Sequence, residues 1–414
     1  TRWFGENSEN AMSSKRVWVV SEIYYPVKTS TGYYMTEIAE YLAARAMDVH
    51  VLCTGSVYNN GEKRSRLNEE SRNGVKVHRV YVPNIDKNNF VKRTLRLSLS
   101  SLLLFGKILK LVRNGDEVLV VTNPAFLILM MPLVAWIKGV SYKILVHDIF
   151  PENLVAIKRL SSSSFIYKSL KRVFDAAYSK AVLCISIGRD MSEVLKKKIG
   201  DASKICFIPI WAENGVVFPM DKAGTRICSS LRLQDRFVFQ FAGNLGYAQG
   251  IDNLLEAIGL IKNDNIHFLF IGDGAKAGDI VSYMKKGTHK NVSLLGFQDR
   301  ANQNDFLNAC DIGIVTLSDG MYGLGVPSKS YNIMASGKPM LFIGDRQSEI
   351  ALCIEEYSLG WVVEPDNPKM LARMIEHIYS NRTCLSAMQN NAKTVADTVF
   401  AKERILEKYY RLLS

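Results

Sequence analysis

Two glycine-rich segments and one lysine hold the clearest chemistry in this 414-residue chain. Ala242-Gly243-Asn244-Leu245-Gly246-Tyr247-Ala248-Gln249-Gly250 follows the apolar run Phe237–Phe241 and precedes a helical pattern. Three glycines there let backbone N–H groups and the positive end of a helix approach a phosphate. The spacing is not G-x-G-x-x-G, so a dinucleotide fingerprint is not implied. Ile271-Gly272-Asp273-Gly274 repeats the arrangement after the next strand candidate. A tight turn without ligand is the alternative for both loops. Met321-Tyr322-Gly323-Leu324-Gly325-Val326-Pro327-Ser328-Lys329 then leads into a short helix. Pro327 and Ser328 suit a helix start, whereas Lys329 in a first turn opposes the helix dipole unless it faces an anion. A solvated lysine is the alternative.

A second kind of chemistry is offered by His147-Asp148-Ile149-Phe150-Pro151, where a strand candidate ends. A His-Asp pair opening into a cleft can donate a hydrogen bond or carry a proton; a purely structural histidine is the alternative. Residues 91–113 contain Lys92, Arg93, Arg96, Lys107, Lys110 and Arg113 among leucines and no acid. Such a helix can lie on an anionic membrane, or it can be an ordinary core-facing helix with a solvated basic face. Asp-x-Asp, HExxH and GxxxxGK[ST] are all missing from the sequence, which argues against a metal-bridged nucleotide site and against P-loop chemistry.

The elements that position these residues alternate regularly. Strand candidates Arg16–Val20, Asp48–Cys53, Val75–Val80, Glu117–Val121, Tyr142–His147, Ala181–Ile185 and Lys204–Ile208 are separated by amphipathic stretches. After a weakly periodic linker, 209–236, the pattern resumes at Phe237–Phe241, His267–Ile271, Val292–Leu295, Ile312–Thr316, Pro339–Ile343 and Trp361–Val363. Continuous hydrophobic strands alternating with helices predict two α/β, doubly wound, Rossmann-like domains facing across a deep cleft. The expected divisions are 12–212, 213–385 and terminal helices 386–414 that could reach back to the first domain. Residues 1–11 read as an appended remnant. In such sheets ligands bind beyond the carboxyl ends of the strands, so the loops above are where function is sought.

Composition narrows the partners. Lys plus Arg exceed Asp plus Glu by 12, and the excess is uneven: 31 against 18 in residues 1–212, 21 against 22 thereafter. An anionic partner of the first half is implied, yet no nucleic-acid module is recognisable. Seven cysteines stand singly in apolar runs and read as buried hydrophobes of a reducing compartment. No apolar run reaches membrane-spanning length, and no secretory leader follows Met12, so a cytoplasmic protein is expected, peripheral on the inner face of a membrane if the basic 91–113 stretch docks there.

Phe241 to Gly250, Val326-Pro327-Ser328-Lys329 with Met334-Ala335-Ser336-Gly337-Lys338-Pro339, and His147 to Pro151 together resemble the family 4 retaining glycosyltransferases of GT-B fold. Within them the set is most similar to the L-fucosamine transferase group of bacterial O-antigen and capsule synthesis. The resemblance implies a second domain that binds a UDP-sugar and a first domain that binds a polyprenyl-diphosphate-linked glycan, with no metal or other cofactor. It places Gly243, Asn244, Leu245, Gly246 and Gln249 at the diphosphate with Lys329, and Gly272 and Gly274 beside them. Phe297 and Gln298 would meet the base, and Pro327, Ser328 and Asn332 would complete the donor site. His147 would stand near the transferred sugar, and Thr31, Gly32 and Asp148 near the acceptor. Two departures stand out: Asn244 and Gln249 replace the usual Arg and Lys, and Leu324 and Asn332 replace the Glu-x7-Glu pair. UDP-GlcNAc 2-epimerases share the fold but use several cleft carboxylates and histidines, and only six histidines occur here. The missing charges also leave a non-catalytic nucleotide-sugar- or membrane-binding partner as an alternative.

Overall fold

The computed structural model describes residues 15–27, 29–55, 69–83, 90–287 and 291–414; the stretch ahead of Met12 lies outside the described residues. The first domain runs β1 (Arg16–Val20), α1 (Ser30–Ala43), β2 (Asp48–Thr54), β3 (Glu69–Arg72), β4 (Val75–Val80), α2 (Phe90–Leu111) and β5 (Glu117–Val121). It continues through α3 (Ala125–Lys138), β6 (Ser141–Val146), α4 (Glu152–Ala156), α5 (Phe165–Lys180), β7 (Leu183–Ser186), α6 (Arg189–Ile199) and β8 (Ile205–Phe207). Its sheet has the order β3-β4-β2-β1-β5-β6-β7-β8 and is parallel except for β3. Right-handed crossovers put α2, α3 and α5 on one face and α1 on the other.

The second domain follows as α7 (Arg226–Leu231), β9 (Phe237–Ala242), α8 (Ile251–Leu260), β10 (Ile266–Ile271), α9 (Ala277–Lys285), β11 (Val292–Leu295) and α10 (Gln303–Asn308). Then come β12 (Ile312–Thr316), α11 (Lys329–Ala335), β13 (Met340–Ile343), α12 (Glu349–Tyr357), β14 (Gly360–Val363) and α13 (Pro368–Ser380). Its sheet is wholly parallel, β11-β10-β9-β12-β13-β14. Every residue of β9, β10 and β12 is buried, as strands covered by helices on both faces require.

The terminal helices α14 (Leu385–Thr398) and α15 (Lys402–Leu413) lead the chain back across the domain junction. The Ala212 amide donates to the Phe400 carbonyl at 2.8 Å, so the outgoing and returning chains cross side by side. α15 then packs on α1, where Lys402 pairs with Glu37 and the Tyr41 hydroxyl bonds Glu407 at 3.2 Å. Aromatic edges fill the crossing: Tyr34 against Trp211 at 4.7 Å and Tyr331 against Phe400 at 4.9 Å between centroids. One continuous apolar cluster therefore joins the first sheet to α11, α12, α14 and α15.

Three local expectations change. β3 is a polar edge strand, Glu-Glu-Ser-Arg, without the hydrophobic alternation that signals a strand. The stretch read as linker contains α7, capped by the Thr225 hydroxyl on the Cys228 amide. Cys384 is exposed, and Cys206 only half-buried, rather than core.

The largest correction concerns Arg96. It was expected on a basic, membrane-facing stripe with Lys92, Arg93, Lys107 and Lys110, but its side chain is buried and ion-paired with the equally buried Glu22, just beyond β1. α2 crosses the sheet so that Leu104, Ile108 and Arg96 all face inward. Removing one partner of such a pair leaves an uncompensated charge in a low-dielectric site. Arg96→Ala is expected to lower unfolding stability by about 3–5 kcal/mol in urea titrations. The exposed Lys110→Ala should stay within about 0.5 kcal/mol of wild type. Equal midpoints for the two variants would return Arg96 to the surface.

Candidate functional site

The loops after β9 and β10 are built against each other. The Gly243 amide bonds the Ile271 carbonyl at 2.8 Å, and the Leu245 amide bonds the Asp273 carbonyl at 2.9 Å. At Gly272, with φ of 136°, a Cβ would overlap the Gly243 carbonyl oxygen; at Gly274, with φ of 154°, it would lie 2.5 Å from the Leu245 oxygen. Both positions demand glycine for conformation and for space. The amides of Gly243, Leu245, Gly272 and Gly274 are thus engaged within the protein. Neither the Gly243 nor the Leu245 amide is free to donate to a ligand; Gly243 leaves clearance where a side chain would stand, and the Leu245 side chain is core. The Asn244 and Gly246 amides have no acceptor among the described residues. The Asn244 side chain lies along both loops: a Cβ on Gly246 would be 2.9 Å from its Nδ2, and one on Gly274 2.8 Å from its Oδ1.

Lys329, at the start of α11, delivers its ammonium to this clearance. Its Nζ is 3.2 Å from Gln249 Oε1, 3.4 Å from the Phe241 ring centroid, and beside Gly243, where a Cβ would touch it at 3.4 Å. Gln249 and Gly243 belong to the very loop that lacks the expected Arg and Lys, so a cation reaches it from another element. Burial pushes the ammonium down to about 7. Its contacts are a ring face and a neutral amide, with no carboxylate among them, so the site holds a positive charge that an anion would stabilise.

What fixes α11 was not legible beforehand. Asn332 is buried, its Nδ2 bonding Glu213 Oε1 at 3.0 Å while its Oδ1 accepts the Glu213 amide at 3.1 Å. Glu213 in turn pairs with Arg300, whose guanidinium lies 3.7 Å over the Tyr33 ring of the first domain. Asn332 is therefore a strut between α11 and the crossing chain. Glu213 brings its carboxylate to α11 from outside the helix. The only sequence signal was an acid directly after Trp211-Ala212 in an otherwise apolar approach.

Across the cleft, the His147 and Asp148 amides both donate to the Thr122 hydroxyl, at 3.0 and 3.2 Å. Burial pushes His147 down to about 4, so the ring is neutral at physiological pH. Desolvation in the cleft raises the Asp148 carboxyl to about 6, against the opposing pull of Arg93, although much of the residue stays open to solvent. Arg93 thus stands close to the cleft as well as on α2. The Ile149 amide reaches the Leu324 carbonyl at 3.3 Å, and a Cβ on Gly325 would lie 3.4 Å from Asp148 Oδ1. The His147 loop and the loop ahead of Lys329 therefore meet. Farther along, the buried Glu349 accepts from the Arg189 amide at 2.7 Å and Nε at 3.0 Å, and Asp190 accepts the Gly323 amide at 3.2 Å.

Thr31 and Gly32 belong to the first turn of α1 rather than to a free loop, and the Thr29 hydroxyl caps the Gly32 amide at 3.2 Å. Ser30 is 3.4 Å from Ser328, which follows Pro327 at the entrance to α11. Phe297 is exposed on the loop after β11, and Gln298 bonds the Gly296 carbonyl at 3.4 Å. The Ser30–Ser328 approach brings the start of α1 to the entrance of α11 across the cleft. Lys107 and Lys110 lie on the last turns of α2, away from the carboxyl edge of the sheet. Among the described residues no group of three His, Cys, Asp or Glu side chains is placed to hold a metal ion, and no helix is long and apolar enough to cross a membrane.

The crystal structure of Anabaena Alr3699/HepE in complex with UDP superposes with a TM-score of 0.73 at 16% identity, covering 96% of this chain and 99% of that one. The two facing domains are thus a GT-B fold. Residues 236–381, which contain the glycine loops and Lys329, match the family of glycosyl transferases group 1. WcaI of Escherichia coli strain K12, named for colanic acid biosynthesis, is 23% identical over 400 residues, 93% of this chain and 96% of that one. WbjE of Pseudomonas aeruginosa, named as a glycosyltransferase, is 35% identical over 394 residues, 95% of this chain and 96% of that one. At that identity over nearly the whole of both proteins, the chain belongs to the group 1 glycosyl transferases and is a glycosyltransferase.

Proposed function

We propose that the protein transfers a hexose, N-acetylated or deoxy, from a UDP-sugar to a polyprenyl-diphosphate-linked glycan of a bacterial surface polysaccharide, with retention and without a metal. The observation that carries the donor half is the Lys329 ammonium lying beside Gly243 and Gln249 of the glycine loop. Support for uridine comes from the fold neighbour whose structure holds UDP. Support for the polysaccharide comes from the colanic acid naming of one relative. The L-fucosamine group is the finer form of the same reading.

Bond breaking places negative charge on the departing diphosphate. Groups aimed at that charge in a water-poor site accelerate the step, because they need no reorganisation as it develops. Here those groups are the Lys329 ammonium and the Asn244 and Gly246 amides. Neutral His147 donates or accepts a hydrogen bond at the sugar without adding competing charge, and Phe297 offers an apolar surface to the base. Retention follows if departure and attack occur on one face within an ion pair, which asks for no enzymic nucleophile. The acceptor enters from the first domain, past Asp148 and the α1 turn at Thr31 and Gly32. Arg93 supplies positive charge beside it.

Calorimetry with UDP and a panel of UDP-sugars tests the reading. Wild-type protein binds UDP, and Lys329→Met weakens binding about tenfold to a hundredfold, the value of a charge-assisted hydrogen bond. Absence of UDP binding by wild type would sink the proposal. The free ammonium titrates near 7 and the bound diphosphate raises that value. UDP affinity should therefore hold below pH 7 and fall about tenfold per pH unit above it, until the pKa of the complex is reached. Lys329→Met should show no such slope. Gly272→Ala forces the Gly243 strand end away and is expected to cost more than about 1 kcal/mol in unfolding titrations. It should also remove measurable UDP binding, and a wild-type affinity in this variant would refute the glycine clearance.

A further inference from the structure

α3 is apolar on every side: it has no charged side chain before Lys138. Leu127, Ile128, Met131 and Val134 are buried on the sheet. A helix that is hydrophobic all round is normally enclosed. α3 instead lies in the outer layer between α2 and α5, with Leu133 46%, Trp136 81% and Ile137 49% exposed. α5 runs alongside and presents Phe165 82%, Ile166 62% and Val173 53% exposed. Leu133, Trp136 and Ile137 recur at i, i+3 and i+4, and Ile166 and Val173 at i and i+7. Each set is therefore one stripe, and adjacent helices hold the two stripes about 8–10 Å apart. Single exposed hydrophobics are ordinary; two parallel stripes on neighbouring helices mark a surface that something covers.

Charge says what covers it. Residues 90–180 contain 14 Lys and Arg against 5 Asp and Glu. α2 and α3 contain no acid, and Asp175 of α5 is held by Lys171 at 2.8 Å and by Lys198 at 2.5 Å. The exposed cations Lys110, Arg113, Lys168 and Arg172 border the stripes. Two copies meeting on this face would oppose like charges. An anionic bilayer satisfies both components, taking aromatic side chains at its interface and basic ones at its headgroups.

We propose that the α3–α5 face, with Trp136 and Phe165 as its anchors, is the surface on which the protein lies against an anionic bilayer. For its purpose the proposal rests on the lipid-linked acceptor; its evidence is the face itself. It moves the membrane contact from the α2 stripe, whose Arg96 is buried, to the helices beside it. All three helices start at the carboxyl edge of the sheet. A bilayer along them brings headgroups to the cleft mouth near Arg93 and Asp148, where a lipid-borne diphosphate enters.

Flotation of the full chain with vesicles of phosphatidylcholine, or phosphatidylcholine plus phosphatidylglycerol, tests this. Wild type should bind the anionic vesicles, and Trp136→Ser with Phe165→Ser should bind about tenfold less, at unchanged melting temperature and UDP affinity. Lipids brominated on their acyl chains should quench emission in wild type but not in Trp136→Phe. Equal vesicle binding by the double variant, or unquenched wild-type emission, would overturn the assignment of this face while leaving a membrane contact in place. No vesicle binding by wild type would overturn the membrane contact altogether. A concentration-dependent dimer in light scattering, abolished by the double variant, would give the face to a second copy. The UDP titration run beside these separates failure of the donor reading from all three.

Discussion

The ammonium of Lys329, held between an aromatic face and a neutral amide, is the interaction around which the rest of the cleft is arranged. Burial makes the charged form expensive, down to a titration point of about 7, while the residues around it leave the charge unneutralised. Such an arrangement is stable only if the scaffold is rigid enough to prevent the side chain from swinging to water. The scaffold meets this at three levels. β9 and β10 pair in register to Ala242 and Ile271, which sets the two glycine loops edge to edge. Gly272 lets the two loops approach this closely, and Gly243 leaves the space that the ammonium faces. Asn332, bonded at both ends to Glu213, pins α11 so that Lys329 projects into that volume.

The same strut ties donor chemistry to domain geometry. Glu213 lies just past the point where the chain leaves the first domain, and its partner Arg300 stacks on Tyr33 of α1. A rotation of one domain against the other would disturb Tyr33–Arg300 first, then Glu213, then Asn332 and α11. Opposite this hinge, Ile149–Leu324 and Arg189–Glu349 close the far side of the junction. The two loops that meet there are those of His147 and of Lys329. The cleft is thus bounded by contacts whose disruption reaches the site through only one or two residues.

Strands were the most legible part of the fold, because β5, β9, β10 and β12 are covered on both faces and must be apolar throughout. β3 escaped because an edge strand is free to be Glu-Glu-Ser-Arg. Within the site, glycine spacing correctly drew attention to the loops, but spacing cannot say which amides the protein itself engages. The Gly243 and Leu245 amides bond the neighbouring loop and are not free donors, which the spacing alone does not reveal. The misfit of Lys329 with its helix dipole pointed to the same place, because it is an energetic conflict rather than a pattern, and the ammonium does lie beside Gly243 and Gln249. Asn332 and Glu213 lie 119 residues apart, and their pairing depends on how the domains meet. No local rule reaches that.

Charge shows the same limit. The charge surplus of the first half implied an anionic partner, yet many of its cations are internal. Arg96 meets Glu22, Arg79 meets Glu70, Lys143 meets Glu117, and Lys198 meets Glu152 and Asp175. Each buried pair cancels its own charge and contributes register between strand and helix rather than attraction at a distance. What is left to act on an outside partner includes, among the described residues, the exposed Lys110 of α2, Arg113 just past it, and Lys168 and Arg172 of α5. Net charge is a property of the chain, but the field a partner feels depends on which charges the fold leaves uncompensated. The surplus of the first half is therefore best understood as a residue of packing: acids were drawn inward to pair, and the cations beside the apolar stripes of α3 and α5 remained.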